Sequence, residues 1–380
     1  MDKIKTTLKN NRHVYGINAY IKARQVKKRY KKLVSHYSKL SIQELNRVKK
    51  NKLEKVFYFG GDEHQDKSGF LQGLAEHFEL RYFTQENGKY GAYTREQDDC
   101  AIRNGERLVH LFEVNKNDGF IPDILLMQTW AWRVDTAYLK EIKSLYGCLI
   151  INIGMDDRHS FIDKNDWSMG TRGLVPVLDL ALTCAPECVD WYKKEGVDSV
   201  FFPEASHSDF FYPQSAIEKK YQVGFIGAKY GVREEIVEAL KSNGISVMCY
   251  GNGWATGRLA LSKTNSFFNE CKIVLGVGTI GHTRDFFALK LRDFDALMSG
   301  AVYVTHHNPD LEVLFENGKE IFLAKGTQDY VNIITRLLSN EGKLENYRNM
   351  AYKKALNEHT YSLRFQNLKE YLMGERDEIV

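Results

Sequence analysis

The feature that most limits what this chain can fold into is a repeated pairing of short, wholly apolar runs with helix-period segments. KVFYFGG (55–61), LRYFT (80–84), DILLMQT (123–129), CLIINIG (148–154), LALTC (180–184) and VFFPEA (200–205) form a first series. YQVGFIGAKYG (221–231), ISVMCYG (245–251), KIVLGVG (272–278) and AVYVTHH (301–307) form a second. None of these runs alternates strictly between apolar and polar residues, so each predicts a strand buried on both faces. Such strands belong to parallel sheets, whose crossovers are helices. Helices are expected over 68–77, 134–146, from Pro186, over 231–243, from 291 to 299, over 326–339 and 341–357, and at the end over about 358–376. The series break near Tyr212–Lys220. The expectation is α/β, with two doubly wound domains at 52–215 and 221–355, a basic extension at 1–51, and a final helix (356–380) crossing back to the first domain.

Composition bears on where such a chain works and what it touches. An apolar fraction of 43% with 21 Phe and 21 Tyr fills two cores. The six cysteines are scattered, and Cys184 with Cys188 lacks the second pair a zinc site requires, so reduced thiols in a cytoplasmic protein are expected. No apolar run approaches the roughly 20 residues of a membrane span, which predicts a soluble or peripheral protein. The net charge of +4 conceals an asymmetry: residues 1–55 carry 17 Lys and Arg against 3 Asp and Glu. Tyr20, Ile21, Val26, Tyr30, Leu33, Val34, Tyr37 and Leu40 run through this basic stretch as an approximate apolar stripe. The pattern fits a solvated helical appendage, a foot on an anionic membrane surface, or a nucleic-acid contact.

Doubly wound sheets bind ligands where their strands end. In GFIGAKYGVREE (224–235), Gly227 and Gly231 let main-chain amides approach an anion, and Lys229 and Arg233 can neutralise it. YGNGW (250–254) presents Trp254, for stacking or for packing. GTIGHTRDFFALKLRD (278–293) brings Thr283, Arg284, Asp285, Lys290 and Arg292, the makings of a diphosphate clamp. In LRDFDALMSGAVYVTHH (291–307) a helix stops at Ser299-Gly300 and carries Asp295 near its C-terminal end, where the helix dipole disfavours an acid.

YGNGW, KIVLGVG, TRDFFALKLRDFDALMSGAVYVTHHNPDLEVLFENGKEI and EHTYSLR together resemble the C-terminal domain of GT-B glycosyltransferases, nearest the spore maturation protein CgeB-like group. DILLMQTWAW, INIGMDD and LDLALTCAPECVDWYKKEGVDSVFFPEASHSDFF resemble that group's N-terminal domain more loosely. The likeness covers about residues 55–370. It implies a GT-B fold of two Rossmann-like domains facing a cleft. It implies a nucleotide-sugar-dependent, hexosyltransferase-like enzyme without a metal or other cofactor, UDP-sugar being the first donor to consider. By motif position Asp295 accepts hydrogen bonds from the donor ribose, although the group carries Glu there and Phe287 stands where it has an earlier acid. Arg284, Lys290 and Arg292 then face the diphosphate. MDDRH (155–159) follows a strand of the first domain, so Asp156 or Asp157 is a candidate base or sugar-orienting group, and His159 a sugar or phosphate contact. An Asx turn with a surface histidine accounts for the same residues. Gly61, Asp62 and His64 of GGDEHQDKSG (60–69) are acceptor-side candidates, or a capping turn. Asp123 and Asp179 are expected to be structural. The acceptor is expected to be a cell-envelope glycan, a lipid-linked sugar or a protein; nucleic acid, or sugar-nucleotide binding without catalysis, are the alternatives.

Overall fold

The computed structural model describes residues 12–42, 45, 47–162, 170–280, 283, 284 and 286–380, without the side chains of 12–20, 22 and 23. Residues 1–11 of the extension, the Tyr20 side chain and Asp285 lie outside this set. The chain divides into two compact units. One comprises Leu40–Phe211 with Ala355–Val380, the other the chain up to Lys39 with Tyr212–Lys354.

The first unit holds a six-stranded sheet of β1 (Lys55–Phe59), β2 (Glu79–Tyr82), β3 (Ile124–Met127), β4 (Leu149–Gly154), β5 (Leu180–Thr183) and β6 (Ser199–Phe201). All neighbours are parallel, in the order β2-β1-β3-β4-β5-β6. Strands β3, β4 and β5 are buried at every position, as their unalternating runs require. The strand order reverses between β1 and β3, which leaves a crevice at their carboxyl ends. The expected 68–77 helix is broken: Gly69 stands at φ 118°, and regular helix is confined to Leu71–Ala75. The Tyr361–Met373 helix belongs to this unit, with Tyr361 and Phe365 edge-on to Phe70 at 5.3 and 5.0 Å.

The second unit holds β7 (Tyr221–Ile226), β8 (Val247–Tyr250), β9 (Cys271–Leu275), β10 (Val302–His306) and β11 (Phe322–Ala324). The sheet is parallel in the order β11-β10-β9-β7-β8, and reverses between β7 and β9. The basic extension contributes one helix, Arg12–Tyr37. Only part of its apolar stripe is used: Leu33 and Tyr37 are buried and Tyr30 meets Phe286 edge-on at 5.3 Å, whereas Ile21, Val34 and Leu40 are exposed. Residues 30, 33 and 37 fall on one helical face, Val34 sits at its edge, Ile21 lies opposite, and Leu40 is past the end of the helix.

Two helices, Cys100–Asn117 and Leu261–Glu270, have no counterpart in the apolar pattern. Each buries asparagines where an apolar residue is the rule. Asn104 donates to the carbonyls of Tyr93 and Arg133 and accepts from Tyr93 N. Asn265 and Asn269 accept from the amides of Tyr212 and Gln214. These side chains satisfy loop backbone that packing has removed from water.

Candidate functional site

In the second unit the turns after β7, β8 and β9 are laced together. Gly227 N donates to Tyr250 O and Lys229 N to Asn252 O, both at 2.8 Å. A Cβ on Gly251 would lie 2.3 Å from the Gly227 carbonyl oxygen, so only glycine lets the two turns approach this closely. Trp254 Nε1 donates to the same carbonyl at 2.8 Å, and its ring stands edge-on to Phe225. The indole therefore fixes the Gly227 turn.

Two guanidinium groups converge on that turn. Arg233, the first residue of the Arg233–Ser242 helix, donates to Ala228 O (2.9 Å) and Val277 O (3.3 Å), bridging the turns that flank the reversal of strand order. Arg292, from the Leu291–Met298 helix, donates to Ile226 O and lies over the Phe225 ring. A Cβ on Gly227 would stand 3.0 Å from Arg292 Nη1 and 3.3 Å from Arg233 Nη1. Burial, then the charge of Arg292, pushes the Arg233 pKa down to about 10. Neither arginine forms an ion pair among the described residues, and both Nε atoms are buried without a partner. The same strand ends hold two further orphans, Thr279 Oγ1 and His306 Nδ1. The His306 ring sits between Phe287 (5.1 Å) and Tyr330 (5.2 Å), and burial, then Arg233, pushes its pKa down to about 4. The corner therefore combines two cationic side chains with several buried polar atoms that lack a partner among the described residues.

The other donor-side candidates are placed differently. Lys229 pairs with Glu234 at 3.1 Å, and Arg284 pairs two-pronged with Glu235, which also accepts from Thr327. Lys290 precedes its helix as the N-cap instead of riding on it, with its amide held by Asp293. Asp295 is buried, and its main-chain carbonyl accepts from both the amide and hydroxyl of Ser299.

In the first unit a cavity of about 360 Å³ opens at the carboxyl ends of β1, β3 and β4. Gly61, Asp62, Gln128, Trp132, Arg133 and Met155 are among its walls. Asp62 also accepts from Gln65 N at 3.2 Å; His64 is exposed and outside the lining. Behind Gly60, buried Asp66 accepts from Tyr58 (3.0 Å) and Tyr90 (2.8 Å). Burial pushes its pKa up to about 6, against the pull of both tyrosines.

The adjacent acids of MDDRH diverge. Asp156 is half-buried and its carbonyl starts the next helical turn by accepting from His159 N. Asp157 turns into its own unit, 1% exposed, where burial pushes its pKa up to about 6 against the hydroxyls of Thr183, Tyr192 and Thr171. Neither of its oxygens has a hydrogen bond of good geometry. Met155 lines the cavity, but Asp156, Asp157 and His159 do not. Asp123 accepts from the amides of Glu54 and Lys55, and Asp179 from Ile150 N and Lys143, so both tie strand ends together. His306, Asp66 and Arg133 stand in or beside the motif segments, but none of the three carries a sequence signal of its own. For Arg133 the available signal is only its place shortly after a buried apolar run; that the strand order reverses there is known from the structure. Among the described residues no three His, Cys, Asp or Glu side chains are grouped to hold a metal ion, and no helix is long and apolar enough to cross a membrane.

Residues 233–370 match the family model described as "Glycosyl transferase-like". The chain is similar in structure to the sucrose-phosphate synthase of Thermosynechococcus elongatus, with a TM-score of 0.62 at 10% identity over 85% of this chain and all of that one. It is similar to Anabaena HepE in complex with UDP and glucose, with a TM-score of 0.59 at 11% identity over 84% of this chain and all of that one. It is also similar to an S. aureus TarM mutant in complex with fondaparinux, alpha-GlcNAc-glycerol and UDP, with a TM-score of 0.51 at 12% identity over 76% of this chain and 62% of that one. Among curated proteins none matches the sequence at a significant level. The two parallel sheets and these likenesses give the chain the GT-B fold.

Proposed function

We propose that this chain is a nucleotide-sugar glycosyltransferase that binds a UDP-sugar on its second unit and transfers the sugar, without a metal ion, to a glycan, lipid-linked or protein acceptor held on the first. The observation that carries this reading is the pair of guanidinium groups without an ion pair, Arg233 and Arg292, both inside the segment that matches the glycosyl transferase-like family, converging on Gly227 just ahead of it. Negative charge builds on the diphosphate as the glycosidic bond breaks. Fixed cations already in place stabilise it without reorganising. UDP is the nucleotide held by the HepE and TarM structures. Asp295 is assigned to the ribose hydroxyls, since a carboxylate accepts from two adjacent hydroxyls at once. Asp62, on the cavity wall, is the acceptor-side carboxylate within reach of a bound hydroxyl. The motif block of residues 272–364 supports a place in the CgeB-like group.

Calorimetric titration with UDP and UDP-glucose tests the donor site. Saturable binding is expected, and Asp295→Ala weakens it by about 1–3 kcal/mol as the ribose hydrogen bonds are lost. A folded protein that binds no nucleotide overturns the reading.

The basic helix is assigned to an anionic membrane surface in preference to nucleic acid. Its exposed Lys27, Lys28, Lys31 and Lys32 are accompanied by exposed Ile21, Val34, Leu40 and Ile42, apolar groups that a lipid interface buries and a phosphate backbone does not. Co-sedimentation with phosphatidylserine vesicles, abolished by deleting residues 1–39, is the expected result. Retention of DNA without retention of vesicles reverses the assignment.

A further inference from the structure

Arg133 is the cationic wall of the first unit's cavity, and the acceptor reading above leaves its chemistry unused. It closes a short helical turn, Ala131–Arg133, just past β3, where the strand order reverses. Its backbone is fixed: Arg133 N donates to Trp130 O, and Arg133 O accepts from buried Asn104 at 2.8 Å. Its guanidinium is not. Among the described residues that group makes no hydrogen bond and no ion pair, although it lines the cavity and its Nε is buried. Asp66, held by two tyrosine hydroxyls, and Asp62, whose Oδ1 accepts from Gln65 N, both favour its charge, but neither forms an ion pair with it. Trp132, beneath the guanidinium at 5.0 Å, adds a second buried donor without an acceptor, its Nε1. Burial pulls the Arg133 pKa down while the charges of Asp66 and Asp62 hold it up, so an anion in the cavity gains from a cation already partly stripped of water. Gly61 is part of the arrangement, because a Cβ there would lie 2.4 Å from Arg133 Nη1.

We propose that this cavity is an anion subsite. The acceptor carries a phosphate or carboxylate, which Arg133 grips through paired N–H donors, and this fixes a sugar hydroxyl toward Asp62. The inference rests on the glycosyltransferase reading for the word acceptor; the anion site itself does not. It makes a charged sugar or polyol the substrate class and excludes neutral glycans as good acceptors.

Ligand-observed NMR titration of the full chain with glucose, glucose 6-phosphate and glucuronate is the test, with calorimetric UDP binding measured alongside. At least one of the two charged sugars is expected to bind tenfold or more tightly than glucose, and which one does so separates phosphate from carboxylate. Arg133→Gln removes that preference and leaves UDP affinity unchanged, which also reports that the variant is folded. Gly61→Ala acts as the second variant, since its methyl group displaces the guanidinium without altering its charge, and it reduces the preference too. Equal binding of charged and neutral sugars by the wild-type chain, or a preference that survives both substitutions, overturns the proposal. Failure of UDP binding with the anion preference intact overturns the donor reading alone.

Discussion

Counted from their own first strands, both sheets begin in the order 2-1-3-4-5, and both set an arginine beside the place where that order reverses. The two residues are held in opposite ways. Arg233 is buried and clamped by two main-chain carbonyls, with Arg292 converging on the same glycine. Arg133 is anchored only through its backbone, and its guanidinium faces a cavity without a hydrogen-bond partner among the described residues. A charge locked by the backbone suits a ligand group that is always the same, such as a diphosphate, because nothing reorganises when it arrives. A charge fixed at its root and loose at its tip suits an acceptor group whose shape differs from one molecule to the next. The neighbouring titrating groups differ as well: a histidine kept neutral in the second unit, and carboxylates pushed toward neutrality in the first.

The largest effect is expected where like charges converge. Arg292→Ala removes one of two unpaired guanidinium groups beside Gly227, so UDP affinity falls by about 2–3 kcal/mol, or roughly 30- to 150-fold. Relief of the like-charge contact offsets the lost bond to Ile226 O, so thermal stability moves by no more than a few degrees. Calorimetry and a melting curve on one sample decide this. A melting point that collapses together with affinity makes Arg292 a structural residue.

Stability against pH separates the units next. His306 has its folded pKa pushed down to about 4 from a model-compound 6.5, so between those values the unfolded chain binds more protons, and stability rises with pH. Asp66 has its folded pKa pushed up to about 6 from 3.8, so across a similar window the folded chain binds more protons, and stability falls as pH rises. Asp157 acts in the same direction as Asp66. Each contribution is on the order of 3 kcal/mol, and the histidine and carboxylate signs oppose each other. His306→Phe, which keeps an aromatic ring between Phe287 and Tyr330, should steepen the loss of stability from pH 4.5 to 6.5. Asp66→Asn should tilt the profile the other way. Urea unfolding at three pH values reads both, and identical profiles for the two variants remove this distinction between the units.

How much of this was legible in the sequence follows from what each residue type signals. Apolar strands announce themselves by unbroken runs, so both sheets and their parallel sense were readable; the three-residue edge strand β11 was too short to register, and β2, at the other sheet's edge, is not buried on both faces as its run suggested. The Cys100–Asn117 and Leu261–Glu270 helices were not, because Asn104, Asn265 and Asn269 occupy buried positions and interrupt the apolar period in order to satisfy loop backbone. Arg233, Arg292 and Gly227 were legible as glycine and cations at strand ends, and the structure brings them together. Lys229 and Arg284 carried the same signal, but only the fold shows them spent on Glu234 and Glu235. Arg133 left the faintest trace. A single arginine after a strand is ordinary, and what distinguishes it is the lack of a hydrogen-bond partner for its guanidinium among the described residues, which no pattern of letters records.

The smallest expected effect contrasts two tryptophans, one beside each arginine site. Trp254 Nε1 donates to Gly227 O at 2.8 Å, so Trp254→Phe keeps an aromatic contact with Phe225 but loses that hydrogen bond, at about 1 kcal/mol. Trp132 Nε1 is buried with no acceptor among the described residues. Trp132→Phe therefore removes an unsatisfied donor, which offsets the packing lost with the smaller ring, and leaves the free protein as stable as before or slightly more so. An anionic ligand reverses the order. If the cavity binds one, Trp132→Phe weakens that binding although the free protein is undamaged, whereas Trp254→Phe leaves it untouched. Denaturant unfolding of both variants, with and without glucose 6-phosphate and glucuronate, resolves the four cases. Equal destabilisation of the free protein by both substitutions means that Trp132 already has a partner in solution, and that the first unit's site is as firmly tied as the second's.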